Sequence, residues 1–345
     1  MAVAELKPDG NSDTAILQTE EKSLLRESFD RFFRNKMAVV STIFIIIMTS
    51  FAFLVAFVDI VQDPIQQTLT DNNALPELLV TGPLSFIMPD NIENYAQISD
   101  KYTWGADDLG RDLWARAVHG ARISLSVAIV ASTVSLIIGT VYGCISGYFG
   151  GVVDSVMMRI IDFIYGFPFL IVVILLQAFF KAQARQGGGE GFWGLMTQVN
   201  ATMGGLFFMF IAIGLVGWIG MARIARGQVL SYKKKEFVEA ARALGASDSR
   251  IMFRHLLPNI LGPLIVAETL AVPGYISLEA FLSFIGLGVD PPTPSWGIMI
   301  SEAVQSVRSY PNQILLPAIF LSLTTLAFNF MGDGVRDAFD PRMKQ

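Results

Sequence analysis

Two carboxylates, Glu268 and Glu279, interrupt an otherwise apolar run from Leu256 to Val289. A charge in hydrocarbon is costly, so such acids mark a proton relay, the polar lining of a solute path or a hydrogen bond between subunits. By helical rise Glu268 falls ~14 Å beyond Asn259 and Glu279 ~30 Å beyond it, so the two need not share a role. Glu268 is expected to line a polar cavity or to bond across a subunit boundary, and Glu279 to make an interfacial contact that steadies an outer gate. The remaining chemistry is sparse. His119 and His255 are single and far apart, so no metal site is expected. The one cysteine, Cys144, lies in an apolar stretch and reads as a packing residue, which excludes a disulfide framework and a thiolate metal site. A His-Glu-x-x-His helix is missing, which argues against a membrane protease. A phosphate-cradling Gly-x-x-x-x-Gly-Lys-[Ser/Thr] loop is missing too, so no catalytic residue and no cofactor-binding residue is assigned. Gly189 to Gly194 satisfies a Gly-x-Gly-x-x-Gly pattern without a preceding strand, which is coincidence.

The most informative segment is polar. Lys233-Lys234-Lys235 leads into Glu236 to Leu244, where Phe237, Ala240, Ala241 and Leu244 fall on one face at helical spacing. Gly245 supplies the left-handed stop. Ser247 or Asp248 can cap a second short helix through Ile251, Met252 and Leu256, and Pro258 opens the next span. A short amphipathic helix with small alanines can lie against another protein and transmit a push. It can equally rest on lipid headgroups beside its basic cluster. Nearby, Asp162 beside Arg159 reads as an interface ion pair, and Arg223 and Arg226 as side chains that snorkel to headgroups.

The elements that position these residues are membrane helices. The 345 residues are 52% hydrophobic and 16% charged, with mean hydropathy +0.51, too apolar for an ordinary soluble domain. Met37 to Val58 is 22 uncharged residues, enough to cross a bilayer. Further spans are expected in Ile123–Val153, Phe163–Phe180, Gly191–Ala222 (densest from Met203), Leu256–Val289 and Ser309–Gly332, six in all. Eighteen of the 25 Lys and Arg then lie on the side of both termini, which predicts N-in and C-in. The 59–121 segment, rich in acids, falls outside, and the 223–259 loop inside. Gly139, Gly143 and Gly147, every fourth residue, predict close helix packing. Pro168 and Pro273 lie within spans and are read as kinks without a moving role. The first twenty or so residues are read as disordered, and the N-terminus lacks the pattern of a cleavable signal peptide.

Glu239-Ala240-Ala241, three residues, Gly245, nine residues and His255-Leu256-Leu257-Pro258 resemble the EAA loop of ABC importer permeases, with His255 where that family has Ile. Gly105 to Asp112 resembles the Gly-Thr-Asp-x-x-Gly-Arg-Asp stretch of C-type subunits in the oligopeptide/dipeptide/nickel branch, with Ala106 in place of Thr. Phe281 to Gly288, followed by Pro291, Ser295, Trp296 and Gly297, and the tail from Gly332 to Pro341, are similar to the same branch. The stretch Arg122 to Leu176, including Asp154 to Arg159, looks especially like oligopeptide permeases. The resemblance covers about residues 100 to 341.

It implies an all-α, six-helix, type I ABC importer transmembrane fold in the bacterial cytoplasmic (inner) membrane. The divisions are a cytoplasmic segment 1–36, a first helix 37–58, an outside segment 59–121, a core 122–332 and a cytoplasmic tail 333–345. It also implies a second, B-type permease subunit, two ATPase subunits that bind the ATP and Mg, an outside solute-binding protein and surrounding lipid, with no nucleic acid. Glu239, Ala240, Ala241, Gly245, Phe237 and Leu244 become the ATPase-coupling residues, and Glu268 and Glu279 belong to the path or gate. The expected cargo is oligopeptide or dipeptide; nickel or another small solute on the same fold is the alternative. A proton-coupled secondary transporter using Glu268 and Glu279 is a further, different reading.

Overall fold

The computed structural model describes residues 24–55, 58, 61–186 and 191–339. The disorder expected for the first residues, the Gly187–Gly189 cluster, the Glu190 position of the glycine pattern and the tail beyond 339 lie outside the described residues. Helix α1 (Leu24–Arg34) leads through Asn35 into α2 (Lys36–Leu54); the Asn35 side chain caps α2 by accepting from the Ala38 amide at 3.2 Å. A segment of short turns containing α3 (Glu77–Val80) precedes the longest helix, α4 (Leu113–Phe149), capped by the Asp112 carboxylate. Then follow α5 (Gly151–Tyr165), α6 (Phe169–Arg185), α7 (Phe192–Thr202), α8 (Leu206–Tyr232), α9 (Glu236–Ala243), α10 (Asp248–Arg250), a π-helical turn at Ile251–Leu256, α11 (Leu257–Phe284), α12 (Trp296–Ala303) and α13 (Asn312–Phe339). Among the described residues, five helical stretches are long and apolar enough to cross a membrane, and the bent pair α5 and α6 makes a sixth if counted as one span. The chain is an all-helical polytopic membrane protein.

The break in that third span is larger than the kink expected at Pro168. The axes of α5 and α6 differ by 77° across Gly166-Phe167-Pro168. Pro168 lacks the amide a helix would use and disfavours helical backbone at Phe167, so the chain leaves one helix and restarts another. By contrast α11 runs on through Pro263 and Pro273, its buried face packed inside the bundle. Two span limits also move. The second begins at Leu113 rather than Ile123, because Arg116 is buried among acids instead of ending the helix. The fourth is α8 alone: left-handed Gly204 and Gly205 turn the chain after α7, and the helix carries Arg223 and Arg226 on to Tyr232.

Helices α4 and α8 form the most extensive contact in the bundle. The glycine stripe makes it. A Cβ at Gly139 would lie 2.6 Å from the Met221 Cβ, one at Gly143 would run into the Ala222 carbonyl, and one at Gly147 would reach the Arg226 carbonyl at 3.0 Å. One core joins α4, α6, α8 and α11, with Phe180 and Phe208 stacked at 4.9 Å. A second, at the end of the bundle carrying α9, gathers Cys144, Tyr148, Val229, Val238, Ala241, Ile251 and Leu256, so Cys144 is a packing residue there. The ends of the described chain meet at that same end, with Phe32 and Ala38 against Gly334. At the opposite end, Leu75, Leu79, Val80, Met88 and Ile92 form a small core of their own and cap the bundle. The cap is pinned to α13 by Trp104 and Asn312, whose side chains each donate to the other's backbone carbonyl at 3.1 and 3.0 Å. Within the cap, the Tyr102 hydroxyl and then Lys101 hold the Asp71 carboxyl below its ordinary value.

Candidate coupling surface and solute path

Helix α9 carries Glu236 and Glu239 in its first turn, where the helix dipole favours acids. It ends in a hydrogen-bonded glycine turn. The Gly245 amide bonds the Arg242 carbonyl and the Ala246 amide bonds the Ala241 carbonyl, each at 3.0 Å, with Gly245 at φ 80°. The helix is fastened from beneath by Val238 and Ala241, both buried in the second core. Its other side is open: Glu239 and Ala240 are exposed, Phe237 is 38% exposed and Leu244 88%. The face expected to hold Phe237, Ala240, Ala241 and Leu244 together is therefore divided. Ala241 turns inward beside Val238, three residues earlier and on the same stripe, while the other three face away from the bundle.

Polar bonds tie this hairpin to the bundle. Lys233 donates to the Gly147 carbonyl at 2.7 Å, and the Tyr148 hydroxyl donates to Asp248 at 2.6 Å. Arg226 and Arg223 do not simply snorkel. Arg226 donates from Nε and Nη2 to the two oxygens of Asp154 at 2.5 and 2.6 Å. Arg223 pairs with Asp162 at 2.7 Å and lies 4.4 Å over the Tyr165 ring, so the partner of Asp162 is Arg223 rather than Arg159.

The two membrane acids are both buried within this one chain. The Ser135 hydroxyl donates to Glu268 Oε2 at 3.0 Å, leaving Glu268 Oε1 without a protein partner among the described residues. Glu279 is fully enclosed and accepts from Ser124 at 2.5 Å and Ser283 at 2.7 Å. Its partners thus lie on α4 and α11 of the same chain, not across an interface. Tyr275 also walls a cleft of about 570 Å³ at the broken span, which Tyr165, Phe167, Pro168, Phe169 and Val216 line as well. Glu268 is not among the residues that line it.

Nothing in the sequence pattern assigned a role to the charges at the cap end. There Arg111 donates to Asp107 at 2.6 Å and to Glu302 at 3.1 Å, while Arg116, only 1% exposed, reaches Glu302 at 2.6 Å and Asp107 at 3.5 Å. The Gly105–Asp112 stretch noted in the sequence supplies two of these four groups; Glu302, nearly two hundred residues on, gave no signal. Among the described residues no cluster of three His, Cys, Asp or Glu side chains could hold a metal ion.

Residues 139–345, which contain α8, α9, α11 and most of the rest of the bundle, match the family described as binding-protein-dependent transport system inner membrane component. The chain belongs to that family. This inner membrane component also matches, over residues 23–76, the N-terminal transmembrane domain of oligopeptide transport permease C. It is 40% identical to the oligopeptide transport system permease protein OppC of Haemophilus influenzae, over 94% of this chain and 91% of that protein. It is 36% identical to the dipeptide transport system permease protein DppC of Bacillus subtilis, over 99% and 92% of the two chains. With OppC of Salmonella typhimurium the identity is 41%, over 94% of each. It is therefore a multi-pass inner membrane permease component of an ABC transporter and is not itself catalytic. Membership implies an ATPase, a binding protein and a partner permease as its companions.

Proposed function

We propose that this chain is one of the two permease subunits of an importer for short peptides, and that α9 is the helix through which ATPase subunits drive it. The single observation that carries the coupling reading is the division of α9. Val238 and Ala241 anchor it to the bundle, while Phe237, Ala240 and Leu244 lie open beside Glu239, an apolar patch with an acidic edge that none of the described residues covers. The lysines before it and the arginines around it support a cytosolic position for this end by the positive-inside rule, and with it an N-in, C-in chain whose acidic cap lies outside.

In this reading two ATPases bind ATP and Mg and close upon one another, drawing α9 and Gly245 with them. A B-type permease completes the pathway, a solute-binding protein delivers cargo to the cap side, and lipid surrounds the rest. Closure moves the equilibrium between inward-open and outward-open states only through contacts that differ between them, and α9 is where such contacts are made. Glu268, on the same helix as the cleft residue Tyr275, belongs to the solute path in this reading. Glu279 holds α4 to α11 near the outer gate from within the chain. The relatives named above for oligopeptides and dipeptides support peptide over nickel as the cargo. Purifying the intact complex and identifying its subunits, and the ligand on its binding protein, by mass spectrometry tests the assignment. Recovery of ATPases and peptide is the expected result; uptake that survives ATP depletion and collapses with an uncoupler would replace it with proton coupling through Glu268 and Glu279.

A further inference from the structure

Ser146, Gly147 and Tyr148 are consecutive residues in the last turn of α4, and each holds a different part of the molecule. The Ser146 hydroxyl donates to Asp154 of α5, the carboxylate that grips Arg226 of α8. The Gly147 carbonyl accepts from Lys233, just before α9, at 2.7 Å. The Tyr148 hydroxyl donates to Asp248 of α10, just after the glycine turn, at 2.6 Å. The α9 hairpin is therefore fixed at both feet to neighbouring residues of one helix. That helix packs along α8 more extensively than any other pair in the bundle.

From this geometry we infer that Tyr148 is a positioning residue for coupling, the pin through which displacement of the α9 hairpin is passed to α4 and from α4 to α5 and α8. The inference rests on the reading of α9 as the coupling helix. Apolar packing of Val238 and Ala241 against the bundle is non-directional and would let the hairpin slide over its seat. A hydrogen bond to a carboxylate is directional and stronger than a neutral one. The ring of Tyr148 is buried in the same core, so its hydroxyl cannot follow the hairpin without moving α4. The Gly245 turn, closed by two backbone bonds, fixes α9 relative to Asp248, so a push on the open face of α9 arrives at the pin as a rigid displacement.

The test uses the whole complex in liposomes, with the partner permease, ATPases, binding protein and peptide, and reads peptide imported per ATP hydrolysed. Tyr148→Phe keeps the ring and removes the donor; Asp248→Ala removes the acceptor at an exposed position, so a folding defect in the first variant leaves the second to decide. Both are expected to assemble with the ATPases and melt as the wild type does. Both should hydrolyse ATP in response to loaded binding protein yet import about tenfold less peptide per ATP. Asp248→Glu, which keeps a charged acceptor, should recover most of the ratio. A wild-type ratio in both lesions overturns the pin. Phe237→Asp, on the open face, separates the two ideas: if it breaks ATPase assembly or coupling while Tyr148→Phe does not, the pin alone falls. If Phe237→Asp is silent too, the coupling reading of α9 falls with it.

Discussion

Arg226 of α8 meets Asp154 of α5 as a two-toothed clamp, Nε and Nη2 each within 2.6 Å of a different carboxylate oxygen. Asp154 lies three residues into α5, the first half of the broken span, so the clamp fixes that half to the helix leading into α9.

The clamp depends on shape as well as charge, because only a guanidinium can serve both oxygens at once. Arg226→Lys is expected to keep the charge, lose one bond and lower the melting temperature of the complex modestly. Arg226→Met leaves Asp154 with Ser146 alone and should cost roughly 1–3 kcal/mol. Thermal unfolding of the purified complex ranks the two; equal losses would show that charge alone matters.

Close packing of α4 on α8 gives a second prediction. Gly143→Leu must push the helices apart at the Ala222 carbonyl and should cost about 1–3 kcal/mol as an overpacked contact. Gly227→Ala, on α8 where an added Cβ meets nothing within 4 Å, is the matched control and should be neutral or slightly stabilising. Detergent-resistant folding, followed by limited proteolysis, separates them.

That packing was legible in the sequence because glycine at every fourth residue has one physical meaning in lipid. The end of α9 was legible for the same kind of reason: Gly245 stands where a left-handed residue must. What escaped depended on contacts distant in sequence. Helical spacing alone grouped Ala241 with Phe237, since the eight residues of α9 do not reveal which flank meets the bundle; Val238 and Ala241 are buried in a core assembled with Tyr148, Val229, Ile251 and Leu256, which lie on other stretches of the chain. Proline content likewise did not distinguish Pro168 from Pro273. The difference lies in the neighbours: Pro273 is buried along a packed helix, whereas Pro168 and the residues flanking it stay exposed beside a cleft.

Glu268 and Glu279 should part company under mutation. Glu279→Leu strands the Ser124 and Ser283 hydroxyls in a sealed site and is expected to destabilise the fold by about 1–3 kcal/mol for each group left unpaired. Glu268→Gln retains an oxygen for Ser135, so the fold should hold, while peptide uptake falls several-fold if the Glu268 carboxylate belongs to the path. Melting curves and uptake measured on the same two variants decide; a Glu268→Gln protein that transports normally removes that residue from the pathway.

The cap end offers the sharpest stability test. Arg116 is 1% exposed and has Nε and Nη1 without a hydrogen bond, so its charge rests on Nη2 to Glu302 at 2.6 Å and on Asp107 at 3.5 Å. Removing one member of a buried ion pair leaves the other uncompensated, which costs about 3–5 kcal/mol. Glu302→Ala should approach the lower end of that range, because the carboxylate is 36% exposed and water already screens part of the interaction. Arg116→Met should cost less than the loss of Glu302: it removes the buried charge itself, fills the space with apolar atoms and leaves Glu302 bonded to Arg111. In the double variant the penalty of an unpaired Arg116 vanishes, so the combined loss should be smaller than the sum of the single ones. Additive losses in a thermal double-mutant cycle would mean that Arg116 and Glu302 stabilise the cap independently and that the pair is not a unit.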